Sequence, residues 1–311
     1  MYHQETLRWT EYDVMDRIKA GASNVGVYRV APTGQYQHNG ATLPCTVSRQ
    51  MKEHADNGGT MIFKMVDKKY VKRARDLKKL LRLHHPNILP MLHIFPLQST
   101  VDHNLYVTVF VTPFCNIGEL GVHMRGMPWY QKKKLMHGLW LALEFLSKEH
   151  GIVHGDIKPS NILVHTNGVS YNAFLSDIDD VNLCWDHRRP GPETLCFASA
   201  MIFQDFCDPR RDQLALGLVT CDFLSNSDWC SKMESTLSAE VQRDLIGWTV
   251  GNFRPLSLDS FEKYFYLYRE HIEGCFKQMG TWQRPLPNTI RDWDWQKVSS
   301  SMLDWLSSSG N

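Results

Sequence analysis

The chain has 311 residues, 43% hydrophobic and 22% charged, an ordinary globular make-up with room for one large domain or two lobes. Its formal net charge of +1 gives no reason to expect nucleic acid or an anionic membrane as the main partner. Eight cysteines stand singly, with no C-x-x-C pair, so neither a zinc site nor a disulfide framework is suggested; they read as reduced thiols of a cytoplasmic protein.

The N-terminal "MYHQETLRWTEYD" has no apolar core and does not read as a signal peptide, and no apolar run approaches the length of a spanning helix. Residues 11–30 alternate enough to be two strands around a Gly-containing turn. A loop follows, in which "PCTVSRQM" is a candidate third strand. From Met61 to Leu83, Ile62, Val66, Tyr70, Leu77 and Leu81 recur at helical spacing, so this stretch is expected to be a helix. "HHPNILP" ends it, because the residue before a proline avoids the helical region. "NLYVTVFVTPF" is rich in β-branched and aromatic residues and reads as a strand. The first ~120 residues thus look like a sheet with one helix.

Beyond them the chain turns helical. "QKKKLMHGLWLALEFLSKEH" is an amphipathic helix, and "RRDQLALGLVTCDFL" is apolar enough for a central buried one. The basic run from Lys68 to Lys79 and the "KKK" at 132–134 read as solvated helix faces rather than nucleic-acid sites. Residues 229–311 carry six tryptophans, read as core, and no chemical signature.

The chemistry is concentrated in "GIVHGDIKPSNILV", residues 151–164, and "LSDIDD", residues 175–180. Phosphoryl transfer is mostly positioning and charge neutralisation. It needs a carboxylate at the attacking hydroxyl, a cation at the transferred phosphate and oxygen ligands for magnesium. Asp156, Lys158, Asn161 and Asp177 are groups of those kinds. The strands "NILVH" and "AFLSD" would bring Asn161 and Asp177 together across a hairpin.

The segment resembles the catalytic loop of protein kinases, H-R-D-x-K-x-x-N followed by D-F-G, in its serine/threonine form. "GASNVG", "HHPNILPML", "VTPFCNIGEL", "RRDQLALGLV" and "CFKQMGTWQRP" match further landmarks of that family in order. The resemblance implies an α+β, two-lobed kinase fold over residues 8–306: a β-rich lobe over about 8–115 with one main helix, and a helical lobe over about 116–306. It implies ATP and Mg2+ bound between the lobes. Asp156 and Lys158 would be catalytic, and Asn161 and Asp177 would hold the metal. Gly21, Ser23, Gly26, Lys64, Thr112, Phe114 and Cys115 would meet the nucleotide, with Thr112 as gatekeeper.

The departures are specific. Ser23 replaces the middle glycine of the loop, Gly155 the Arg of H-R-D, and Ile178 and Asp179 the Phe and Gly of D-F-G. Asp76 stands for the helix Glu, and "CFASAM" offers no Glu to pair with Arg284. Two registers compete for the phosphate lysine. With "MIFKMV" as the strand, Lys64 is that lysine. With "LPCTVSRQMKE" as the strand, Ser48 takes its place, Lys64 falls inside the helix, and Lys19 or Lys52 would have to reach in. The undisturbed helical period of 62–83 tips the choice slightly toward Ser48.

The expected function is ATP-dependent phosphorylation of Ser or Thr in a protein substrate, with weak or atypical activity. The alternatives are a pseudokinase acting as an interaction module and a small-molecule phosphotransferase. The last draws on "HGDIKPSN", "DIDD" and "DPRRD", which also resemble aminoglycoside phosphotransferases.

Overall fold

Alternation of apolar and polar side chains on either side of residues 20–23 produces two antiparallel strands, β1 (Tyr12–Lys19) and β2 (Asn24–Pro32). The computed structural model describes residues 12–19, 24–32, 59–67, 80–98, 106–121, 124–178, 182–183, 208–241, 263, 266–271, 273–274 and 295–308. The chain divides into two compact units, Met1–Asn116 and Ile117–Asn311.

In the first unit, β3 (Met61–Asp67), β4 (His93–Gln98) and β5 (Tyr106–Pro113) complete a five-stranded sheet of order β1-β2-β3-β5-β4, with every neighbouring pair antiparallel. The helix expected from residue 61 is corrected here: 61–67 is a strand. Ile62 and Val66 are four apart, a spacing that keeps two side chains on one face of a strand as well as of a helix. The neighbouring residues break the tie. Met61, Phe63 and Met65 are buried while Ile62 and Lys64 are only half-buried, the period of two of a strand. Strand β4, which carries Pro96, is not among the elements expected from sequence. It lies at the sheet's edge, where a missing ladder N–H is tolerated. The candidate strand at "PCTVSRQM", with Ser48 and Lys52, lies outside the described residues, as do Gly21, Ser23, Asp76, Asp179 and Arg284.

One face of this sheet forms an apolar cluster of Val30, Met61, Phe63, Met65, Leu92, Val107, Val109 and Val111, with Val14, Tyr28 and Phe95 packed on it. The register places Val27 opposite Lys64, Arg29 opposite Ile62, Ile62 opposite Thr112 and Lys64 opposite Phe110. These residues therefore share the other face.

The second unit is built on α1 (Trp129–Glu144) and α2 (Arg210–Ser225), each burying an apolar face. Trp140 Nε1 on α1 donates to Thr220 Oγ1 on α2 at 3.1 Å, and Thr220 Oγ1 donates to Leu216 O at 2.7 Å, so the buried indole and hydroxyl are both satisfied. Helix α3 (Trp229–Thr236) follows, and α4 (Trp295–Ser307) packs against α1. Lys132 and Lys133 correct the solvated reading of "KKK". They are 2% and 6% exposed, and only Lys134 of the three faces solvent. Trp229 is fully buried, as the core reading of the tryptophans expects. Small strands complete the unit: β6 (Gly118–Glu119), β7 (Ile152–Val153), β8 (Ile162–Thr166), β9 (Tyr171–Leu175) and β10 (Asn182–Leu183). Strand β8 pairs with β6 and β9, and β7 with β10. No helix among the described residues is long and apolar enough to cross a membrane.

Candidate active site

Strand β7 ends at Val153, and the next residues form a loop held from beneath by a buried carboxylate. Asp212, near the start of α2, accepts from His154 N (2.6 Å, Oδ2) and Gly155 N (2.8 Å, Oδ1). Burial pushes its pKa up, while His154, these two N–H groups and Arg211 pull it back. His154 Nε2 lies 2.7 Å from Ser176 O, and a carbonyl can only accept, so Nε2 carries a proton. The loop is thus bonded to α2 below and to the end of β9 beside it.

On this support Asp156 is the focus. Lys158 Nζ donates to Asp156 Oδ2 at 2.7 Å, and Asn161 Nδ2 donates to the same oxygen at 3.0 Å and to Asp156 O at 2.9 Å. Asn161 ends a 3-10 turn, Pro159–Asn161, that leads straight into β8. Ile162 stands opposite Leu175 in the β8–β9 hairpin, and Ser176 N and Oγ both donate to Asn161 O at 2.9 Å. Asp177 is the next residue, in left-handed backbone (φ 59°). Asp156, Lys158, Asn161 and Asp177 are therefore brought to one end of one hairpin. The tight return at 167–170 sets that register, with Asn167 Oδ1 accepting from Val169 N at 3.0 Å and Ser170 N at 2.8 Å, and Gly168 at φ 86°.

The donor set can be tested for a metal. Among the described residues no cluster of three His, Cys, Asp or Glu side chains is placed to hold a cation. Asn161 and Asp177 supply oxygens in the number usual for magnesium, which takes one or two protein ligands and completes its shell with phosphates and water. The residues fit magnesium carried by a nucleotide rather than a protein-caged ion.

In the first unit, Lys64 is half-buried at the centre of β3, on the face shared with Val27, Ile62 and Thr112. Phe114 N donates to Thr60 O at 2.9 Å, tying the segment after β5 to the start of β3. Cys115 is buried, and burial pushes its thiol up to about 12, so it stays protonated and unreactive at neutral pH. Gly26 has a second reason to be glycine. A Cβ there would come within 2.6 Å of the Tyr28 ring, on the side of the sheet away from Lys64. Two residues missed by sequence reading belong in this description. Asp212 lies in "RRDQLALGLV", which the sequence presents as a buried helix with no sign of an acceptor for the loop. Arg29 was not singled out, though an Arg alternating in phase with Val27 on a strand was a readable signal.

The protein kinase domain profile matches residues 46–185. A serine/threonine-protein kinase of Caenorhabditis elegans is 30% identical over 162 residues, covering 50% of this chain and 15% of the relative. A putative serine/threonine-protein kinase/receptor of Acanthamoeba polyphaga mimivirus is 29% identical over 177 residues, covering 51% and 10%. Human calcium/calmodulin-dependent protein kinase type IV is 33% identical over 214 residues, covering 59% and 43%. The chain thus spans less than half the length of each of these relatives. The sheet and the loop around Asp156 agree with the domain these matches share, and residues 46–185 are similar to a protein kinase domain.

Proposed function

We propose that the protein is an ATP-dependent kinase that phosphorylates Ser or Thr side chains of a protein substrate. The observation that carries the reading is the state of Asp156. Both of its side-chain donors, Lys158 and Asn161, fall on Oδ2, which leaves Oδ1 as the acceptor for an incoming hydroxyl. A carboxylate fixed in this way orients that hydroxyl and takes its proton as the oxygen attacks. Lys158, already 2.7 Å from the carboxylate, is the cation available to the transferred phosphoryl group. Asn161 and Asp177 are the ligands for magnesium, which when bound neutralises charge on the phosphates. Lys64, on β3, supplies the cation for the remaining phosphates, and Pro113 to Cys115 meet the base. The relatives from Caenorhabditis elegans and the mimivirus, both named serine/threonine-protein kinases, support Ser/Thr rather than Tyr as acceptor.

The test is transfer of labelled γ-phosphate from ATP with magnesium to a mixed Ser/Thr peptide pool, run beside Asp156→Asn. Transfer by the native chain and a loss of at least 100-fold in the variant is the expected result. No transfer despite nucleotide binding would point to an interaction module, and transfer only to sugars or amines would point to a small-molecule phosphotransferase.

A further inference from the structure

Two cations share the sheet face that carries Val27, Ile62 and Thr112. Lys64 stands opposite Val27. Arg29 stands opposite Ile62, two residues back along β3 and so roughly 6.8 Å nearer the segment after β5. Arg29 Nε donates to Asp16 Oδ1 at 3.0 Å, and Nη2 donates to Asp16 Oδ2 at 2.9 Å, a bidentate pair. Its guanidinium also lies 5.2 Å from the centroid of the Phe114 ring. One end of the face carries Lys64, and the other a charge-balanced guanidinium stacked on a phenyl ring.

A nucleotide has the same polarity, anionic at one end and planar and aromatic at the other. Resting on the nucleotide-binding reading above, we propose that Arg29 is a nucleotide-positioning residue: with Phe114 it walls the base end of this face, and Asp16 neutralises it so that the phosphates go to Lys64. An unpaired guanidinium so close to Lys64 would compete for the phosphates. Paired to Asp16, it offers its flat face to a base and little net charge to an anion.

Titration calorimetry of the full chain with adenosine and with ATP tests this, on the native protein and on Arg29→Ala, Arg29→Lys and Asp16→Asn. Arg29→Ala is expected to weaken adenosine and ATP by a common factor, about 3- to 10-fold, leaving their ratio unchanged. Arg29→Lys keeps a cation beside Asp16 but lacks the planar face, so it should show the same adenosine loss with the melting temperature of the ligand-free protein retained. Asp16→Asn should shift the ratio toward ATP by several-fold. Loss of ATP affinity alone in Arg29→Ala would make Arg29 a phosphate ligand and overturn the proposal. Unchanged adenosine affinity in both Arg29 variants would overturn it too, while native binding leaves the nucleotide reading intact. A native chain that binds neither ligand overturns both.

Discussion

Gly155 has φ 80°, and its N–H points at Asp212 Oδ1. In the sequence this glycine registers only as the loss of the arginine of H-R-D. In the fold it is also the residue that reaches left-handed backbone without a Cβ penalty while Asp212 holds the loop. Gly155→Ala should therefore cost about 1–2 kcal/mol in urea unfolding; an unchanged midpoint would mean that the loop relaxes elsewhere. Asp177 takes the same region with a side chain, which Asp and Asn tolerate better than other residues. Asp177→Asn should keep stability within about 0.5 kcal/mol and yet abolish phosphotransfer, because it removes the charge proposed to bind magnesium and not the backbone preference. A variant that transfers phosphate at the native rate would remove Asp177 from the metal site. Asp156, Lys158 and Asn161 were legible as a set because they lie within six residues and local chain geometry joins them. Asp212 is 56 residues from Asp156, and nothing local announces the contact.

At the scale of elements, α1 is fastened through two adjacent lysines. Lys132 Nζ donates to Phe223 O (3.1 Å) and Asn226 Oδ1 (2.7 Å) and sits 5.1 Å from the Phe223 ring centroid. It caps the C-terminal carbonyls of α2, where Asn226 turns the chain left-handed. Lys133 Nζ donates to Ser308 O at 2.8 Å, just past the end of α4, and lies 4.7 Å from the Trp305 ring centroid. Burial lowers both lysines, with repulsion from Arg125 adding to it at Lys132, but their carbonyl partners need a donor. Lys132→Met fills similar space without donating and should cost about 1–3 kcal/mol, read from urea unfolding. Helix α3 has an acidic cap. Asp228 accepts from Ser231 N at 3.1 Å, and that backbone N–H is the main reason its pKa is lowered, with burial opposing. A carboxylate with a lowered folded pKa contributes stability above its unfolded value and loses it as pH falls through the folded one. The melting temperatures of the native chain and Asp228→Ala should differ at pH 7, by a cost of about 1 kcal/mol, and converge below about pH 4. A gap that persists at low pH would show that the cap does not depend on the charge.

For the whole molecule, a nucleotide that binds only the folded chain must stabilise it. At free ATP–magnesium about 100-fold above the dissociation constant the gain is about 2.7 kcal/mol, a rise of several degrees in melting temperature. An unmoved melting temperature at millimolar nucleotide would sink the kinase reading. The sequence by itself determined the strands β1, β2 and β5, the β8–β9 hairpin and the set of groups at its end, because each of these depends on residues close together in the chain. Tertiary structure alone decided the rest. Ile62 and Val66 satisfy helix and strand equally, so only hydrogen bonding to β2 on one side and β5 on the other makes 61–67 a strand. The same pairing puts Lys64 at the centre of the sheet and aligns it with Val27, Arg29 and Thr112, residues up to 85 positions apart in sequence. Lysines 132 and 133 look like solvent-facing charges in any local window. They are buried because the ends of α2 and α4 arrive there with carbonyls that need donors, and no stretch of sequence around them carries that information.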